Sequence, residues 1–98
     1  MSNVYFISRH QGAVEWIKDQ SISVTEFTSH LSCDRKLNQG DIVIGTLPIN
    51  IIADLNASGV RYIHLDLKLT PEMRGRELTK DEMITAQASL QEYSVITV

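Results

Sequence analysis

A wholly apolar run that ends abruptly in polar residues constrains the fold most strongly. The run comprises Val4–Ile7, and it is followed directly by Ser8, Arg9, His10, Gln11 and Gly12. A short run of β-branched and aromatic residues without alternation is typical of a strand buried on both faces, as in the centre of a parallel sheet. Helical periodicity begins after Gly12. The polar residues therefore lie in a strand-to-helix loop, where open α/β sheets bind ligands.

Length and charge limit what surrounds this strand. A chain of 98 residues with a net charge of −3 predicts one domain spanning residues 1–98, with a modest core and no general attraction for long nucleic acid. No apolar run approaches the roughly 20 residues needed to cross a bilayer, and a signal peptide is not evident. Cys33 is the only cysteine, which excludes an internal disulfide. We therefore expect a cytoplasmic protein with no membrane partner.

A second apolar run predicts another central strand with a similar ending. Asp41–Thr46 is followed by Pro48 and by a helical pattern that stops at Gly59. Thr46 is the expected N-cap of that helix, whose free N–H groups can receive an anion, and Gly45 would let a phosphate approach the backbone. An ordinary N-cap without a ligand explains the same residues equally well.

The remaining patterns complete a βαββαβαβ order. They predict a helix over about Gly12–Gln20 with Trp16 in the core, a half-exposed edge strand over Val24–Leu31 and a strand over Val60–Leu67. A capping box at Thr79 is expected to open another helix, whose inward-facing residues are Met83, Ala86, Leu90 and Tyr93. A final strand is expected over Val95–Val98. This order predicts a small Rossmann-like α/β fold with a mostly parallel sheet and helices on both faces.

His64 and Asp66 lie two residues apart in the third of these strands, so their side chains point the same way. They could form a hydrogen-bonded structural pair or provide two metal ligands. Two ligands are too few for a typical metal site, so we favour the structural pair and predict no metal. The chain also lacks the glycine-rich signatures of dinucleotide and nucleoside triphosphate sites, and no cofactor is predicted.

Three polar segments follow strand ends and should converge on one rim of the sheet. The candidate site residues are Ser8, Arg9 and His10, then Gly45, Thr46 and Leu47, and finally Arg74, Gly75 and Arg76. Arginine, histidine, hydroxyl groups and two helix N-termini suit a compact polyanion, such as a phosphate ester or a small nucleotide.

Blocks of these residues also resemble a known family. They are Ser8-Arg9-His10 with Gly12-Ala13 and Glu15-Trp16, then Ile44-Gly45-Thr46-Leu47-Pro48, then Arg61-Tyr62 with His64-Leu65 and Arg74-Gly75-Arg76-Glu77-Leu78. Over nearly its whole length the chain is similar to the CRISPR-associated Csx-sixteen family of type III systems. The resemblance implies a homodimeric ring nuclease with a CARF-like Rossmannoid fold. Its ligand would be a cyclic oligoadenylate, with cyclic tetra-adenylate expected first.

Chemistry suggests a role for each candidate residue. The ribose 2′-OH can attack its neighbouring phosphorus without a metal and leave a 2′,3′-cyclic phosphate. His10 would transfer the proton, Arg9 would hold the phosphate, and Ser8 would orient the reacting groups together with Thr46. Arg74, Gly75 and Arg76 would close over the ring. Two alternatives stay open at this point: a sponge or sensor that binds the ring without cleaving it, and an interaction domain with no nucleotide ligand.

Overall fold

The computed structural model describes residues 3–8, 10–28, 37–68, 70–73 and 78–98. The secondary-structure elements within these ranges are β1 (Val4–Ile7), α1 (Gln11–Lys18), β2 (Glu26–Thr28), β3 (Ile42–Gly45), α2 (Ile49–Ala57), β4 (Arg61–Asp66), a 3₁₀ turn (Pro71–Met73), α3 (Lys80–Thr85) and β5 (Ser89–Tyr93). None of the helices described is both long and apolar enough to span a membrane.

The described strands form one sheet in the order β2-β1-β3-β4-β5. β1 to β4 run parallel, and β5 pairs antiparallel with β4. The predicted Rossmann-like α/β class and its mostly parallel sheet are confirmed. β2 lies at one edge, as the sequence predicts, although residues 29–36 of that region lie outside the described residues.

Helices cover both faces of the sheet, as predicted. Alternate strand residues point to opposite faces, so each central strand contributes to two cores. On one face, Phe6 and Ile44 pack with Trp16 of α1 and Met83 of α3. The other core joins the sheet to α2 and comprises Ile7, Val43, Ile52, Leu55, Val60 and Tyr62. Trp16 is 8% exposed, which confirms its predicted place in the core.

The strand order places β1 and β3 at a topological switch point. From β1 the chain crosses through α1 to β2 on one side, and it then returns to form β3 on the other side of β1. The loops that follow β1 and β3 therefore leave adjacent strand ends and lead to helices on opposite faces of the sheet. In sheets with this order, the crevice at the carboxyl ends of the strands is the usual ligand site.

A buried carboxylate holds the opposite end of these two strands. Asp41 is 1% exposed and accepts hydrogen bonds from the backbone N–H groups of Asn3, at 3.1 Å, and Asn38, at 2.9 Å. These bonds satisfy both carboxylate oxygens, as burial of the group requires. Asp41 thus ties the start of β1 to the turn that precedes β3.

The C-terminal part of the chain differs from the prediction. α3 ends at Thr85, and Gln87 adopts φ 56°, a left-handed conformation that commonly ends a helix. Ser89–Tyr93 then forms β5 along the edge of β4, so the predicted helix that included Leu90 and Tyr93 is wrong. The predicted final strand over Val95–Val98 is also wrong. Pairing with β4 satisfies the backbone groups of its edge, and this outweighs the helical spacing of the two apolar residues.

Gly12 allows an unusually close contact between α1 and the segment that leads into α3. A Cβ added at Gly12 would overlap the backbone carbonyl oxygen of Leu78 and would lie 2.7 Å from the backbone nitrogen of Lys80. Both neighbours are backbone atoms, which cannot rotate away as a side chain can. Gly12 therefore sets the distance between the loop after β1 and the start of α3.

We expect Gly12→Ala to lower the free energy of unfolding by about 1–3 kcal/mol, because the added methyl group must displace backbone. Urea denaturation measures the difference. Glu15→Ala, on the exposed side of the same helix, is the matched control and should stay within about 0.5 kcal/mol of the wild type. Equal stability of the two variants would contradict the proposed role of Gly12.

Candidate functional site

The described candidate residues lie together at the switch point. Ser8 and His10 follow β1, and Gly45, Thr46 and Leu47 end or follow β3. Since β1 and β3 are adjacent and parallel, both groups share one rim of the sheet. Four other candidates, Arg9, Arg74, Gly75 and Arg76, lie outside the described residues, and their roles stay predictions.

Backbone contacts orient the His10 ring. The N–H of Leu78 donates to His10 Nδ1 at 3.3 Å, so the proton of the neutral imidazole lies on Nε2. The N–H of His10 donates in turn to Ser8 Oγ at 3.1 Å, so the Ser8 hydroxyl shapes this turn. In this arrangement His10 offers a hydrogen-bond donor at Nε2. Proton transfer by His10 and orientation of the ligand by Ser8 stay predictions.

Two helices begin at the rim without a side-chain cap. His10 is the N-cap of α1 and Pro48 is the N-cap of α2, and neither makes a side-chain capping bond. α3, by contrast, carries the predicted capping box between Thr79 and Glu82, which is confirmed. The start of each of these two helices brings the positive end of its dipole to the rim.

The predicted N-cap role of Thr46 is wrong. α2 begins two residues further on, after Pro48, whose carbonyl oxygen accepts the N–H groups of Ile51 and Ile52. Pro48 has φ −61° and ψ 149°, extended angles that turn the chain into the helix. Thr46 is exposed in the connection between β3 and α2. Its contact with a ligand stays a prediction.

Gly45 has a packing role. A Cβ there would lie 2.8 Å from the backbone oxygen of Ile7, so only glycine lets β1 and β3 keep this separation at the rim. In the register of the sheet, Gly45 also pairs with His64 of β4. A phosphate contact at Gly45 stays a prediction.

A hydrogen-bonded cluster on β4 was not anticipated from the sequence. The Tyr62 hydroxyl donates to the carbonyl oxygen of Gly45 at 2.8 Å and accepts the N–H of Leu47 at 2.9 Å. The same oxygen lies 2.7 Å from His64 Nδ1. Alternation along β4 placed Tyr62 and His64 on one side. The sequence carried no signal that the hydroxyl would bridge to the backbone of the next strand.

The predicted common orientation of His64 and Asp66 is confirmed. His64 Nε2 lies 3.8 Å from Asp66 Oδ1, which suits an ion pair when the ring is protonated but is long for a hydrogen bond. Tyr93 of β5 donates to Asp66 Oδ2 at 3.4 Å, and its ring packs edge-on against the imidazole. No group of three or more His, Cys, Asp or Glu residues gathers among the residues described.

Burial raises the pKa of Tyr62 above its ordinary value of 10.0. The hydrogen bond from Leu47 lowers this pKa, and the nearby Asp66 carboxylate raises it. Since even the ordinary value lies well above 7, the phenol is protonated at neutral pH. Tyr62 thus has one proton to donate within the cluster.

The fold and its rim define a small Rossmann-like α/β protein with a candidate ligand site at the β1/β3 switch point. Residues 5–96 match the family described as "Putative CRISPR-associated protein (Cas_VVA1548)", and the chain belongs to this family. No curated protein and no solved structure matches the chain.

Tyr62 should affect the alkaline stability of the protein. Because its folded-state pKa is raised, the folded protein keeps this proton after the unfolded chain has lost it. The contribution of the Tyr62 phenol to the free energy of unfolding is therefore complete below about pH 10. It is lost as the pH rises through the pKa of Tyr62 in the folded state. We expect Tyr62→Phe to lose less stability above pH 10 than the wild type, as measured by urea denaturation across pH.

At neutral pH the same variant should be less stable by about 1–3 kcal/mol, because Gly45 and Leu47 lose a buried partner. Tyr93→Phe removes a hydroxyl from an exposed ring and is the matched control. An unchanged slope in Tyr62→Phe would show that another group causes the alkaline loss.

Proposed function

We propose that this protein is a type III CRISPR ring nuclease that binds and cleaves cyclic oligoadenylate, with cyclic tetra-adenylate as the ring to test first. Cleavage would switch off antiviral signalling. The family of CRISPR-associated proteins to which the chain belongs supports this setting. The resemblance of the strand-end segments to the Csx-sixteen family supports the specific reaction.

One structural observation carries the proposal. α1 and α2 both begin at the switch point, and neither N-cap residue, His10 or Pro48, makes a side-chain capping bond. The positive dipole ends of two helices thus lie beside the ends of two adjacent parallel strands, a favourable setting for phosphate groups. Because the protein has a net charge of −3, attraction for a polyanion must be local, as this arrangement provides.

The proposed reaction needs no metal and no cofactor. The ribose 2′-OH attacks the phosphorus on the adjacent 3′ oxygen, in line with the bond to O5′. That bond breaks, and a linear product with a 2′,3′-cyclic phosphate results. The protein contributes by holding this geometry and by donating hydrogen bonds to the developing charge on phosphorus. In its described orientation, the His10 Nε2–H can be one of these donors.

A homodimer suits the proposed ligand. A cyclic tetra-adenylate repeats one nucleotide around its ring, and a two-fold dimer presents the same rim twice across its axis. Each rim would hold part of the ring. The symmetry of the ligand would then match that of the protein, although each chain has only a modest surface.

Incubation with radiolabelled cyclic tetra-adenylate tests the proposal. We expect linear products ending in a 2′,3′-cyclic phosphate, with the same rate in excess EDTA. A ring that binds but stays intact would support the sponge or sensor function. Absence of any thermal shift with cyclic oligoadenylates would favour an interaction domain without a nucleotide ligand. Loss of activity in EDTA with recovery on adding manganese would contradict the metal-independent mechanism.

Arg74 and Arg76 should contribute to ring affinity. A charge-assisted contact to phosphate contributes about 1.5–3 kcal/mol, so replacing either arginine with alanine should weaken binding roughly ten- to a hundredfold. Lysine should restore only part of the affinity, because it lacks the planar guanidinium. Binding and melting temperature are measured together: a variant that melts early yet binds the ring normally would show that its arginine is structural.

A further inference from the structure

The Tyr62 hydroxyl has more polar neighbours than it has protons. Its oxygen lies 2.8 Å from the Gly45 carbonyl oxygen, 2.9 Å from the Leu47 nitrogen and 2.7 Å from His64 Nδ1. The Leu47 amide can only donate, and the Gly45 carbonyl can only accept. The position of the phenolic proton therefore determines which nitrogen of His64 carries a hydrogen.

Only one assignment makes all three contacts favourable. If the phenol donated to His64 Nδ1, two oxygen lone pairs, those of Tyr62 and Gly45, would face each other at 2.8 Å. If the phenol instead donates to Gly45, Nδ1 must be protonated and must donate to the phenolic oxygen, which also accepts from Leu47. The Tyr62 hydroxyl thus makes one donation and accepts two hydrogen bonds. Neutral His64 then has a lone pair on Nε2.

His64 and His10 therefore present opposite ring atoms. The Leu78 amide occupies His10 Nδ1, so His10 presents a donor at Nε2. His64 presents an acceptor at Nε2. Of these two imidazoles, His64 is the one prepared to take a proton.

The location of His64 also suits a reacting group. It pairs in register with Gly45, the last residue of β3, on the face of the sheet that α2 covers. Its side chain is 29% exposed, so a ligand at the rim can reach the ring. Tyr62 links it to Leu47, which precedes Pro48, the N-cap of α2. Asp66 Oδ1 lies 3.8 Å from Nε2, within ion-pair distance of the ring when it is protonated.

We propose that His64 is the general base of ring cleavage and that Tyr62 is its positioning residue; this inference rests on the proposed function. His64 Nε2 takes the proton of the 2′-OH while the bond from O2′ to phosphorus forms and the bond to O5′ breaks. O5′ takes a proton from a water molecule, and the resulting hydroxide recovers the proton from the imidazolium. The ring opens to a 2′,3′-cyclic phosphate and a free 5′-OH.

The first experiment compares His64→Gln with the wild type in single-turnover cleavage and in binding of radiolabelled cyclic tetra-adenylate. Glutamine keeps a donor for Tyr62 but has no basic nitrogen. We expect cleavage to slow by roughly 10²- to 10⁴-fold while ring affinity stays at the wild-type level. Arg61→Gln is the control at the other end of β4, where Arg61 pairs with Glu92, and should cleave normally.

Chemical rescue separates a base from a structural residue. His64→Ala leaves room beside Gly45, and imidazole added to the buffer should restore part of its cleavage rate. Imidazole should not accelerate Arg61→Gln. A slow His64→Ala enzyme that imidazole leaves unchanged would overturn the role as a base, and so would normal cleavage by His64→Gln.

The role of Tyr62 has its own readout. In the wild type, the ¹⁵N chemical shifts of His64 should show the tautomer protonated at Nδ1, and Tyr62→Phe should lose this preference. The same variant should lower kcat while KM changes little, because Tyr62 orients the base without touching the ring. A wild-type His64 protonated at Nε2 would contradict the tautomer argument.

The outcomes distinguish this inference from the proposed function. If the wild type cleaves the ring and His64→Gln cleaves it equally well, the ring nuclease function holds and another group is the base. If the wild type binds the ring without cleaving it, the catalytic half of the proposed function fails and the role of His64 as a base fails with it.

Discussion

The structure depends on the pairing of two strands that have no exposed face. β1 and β3 lie side by side in the middle of the sheet, and their residues contribute to both cores. Such strands are stable only if helices cover both faces, so α1 and α3 are required on one side and α2 on the other. Gly45 lets the two strands approach at the rim, and Asp41 ties them at the opposite end. The position of the rim follows from this pairing.

The central part of the fold could be predicted because its cause is local. Val4–Ile7 and the apolar residues before Gly45 exclude water on both faces, and this requirement is visible in a few consecutive residues. Thr79 and Glu82 formed the predicted capping box for a similar reason, since the two partners are three residues apart. The prediction was wrong after Thr85, because β5 pairs there with the edge of β4, a strand that lies elsewhere in the chain.

The candidate site shows the same division. The sequence placed Ser8, His10 and Gly45 at one rim, because residues that follow parallel strands share an edge. It could not show how the side chains there are held. The partner of His10 Nδ1 is a backbone amide 68 positions away, and Tyr62 reaches the backbone of a neighbouring strand. Such contacts depend on the folded geometry, and the residue types alone do not indicate them.

The bond between Leu78 and His10 links the first strand-end loop to a segment that lies 68 positions further along the chain. Closing a loop of this size costs conformational entropy, which the contacts made on closure must recover. A molecule that binds the rim in this closed arrangement therefore favours the whole long-range closure and not a single turn. Through mass action, ligand binding at the rim would then be coupled to folding of the whole chain. Any molecule that binds only the closed rim would therefore raise the stability of the folded chain.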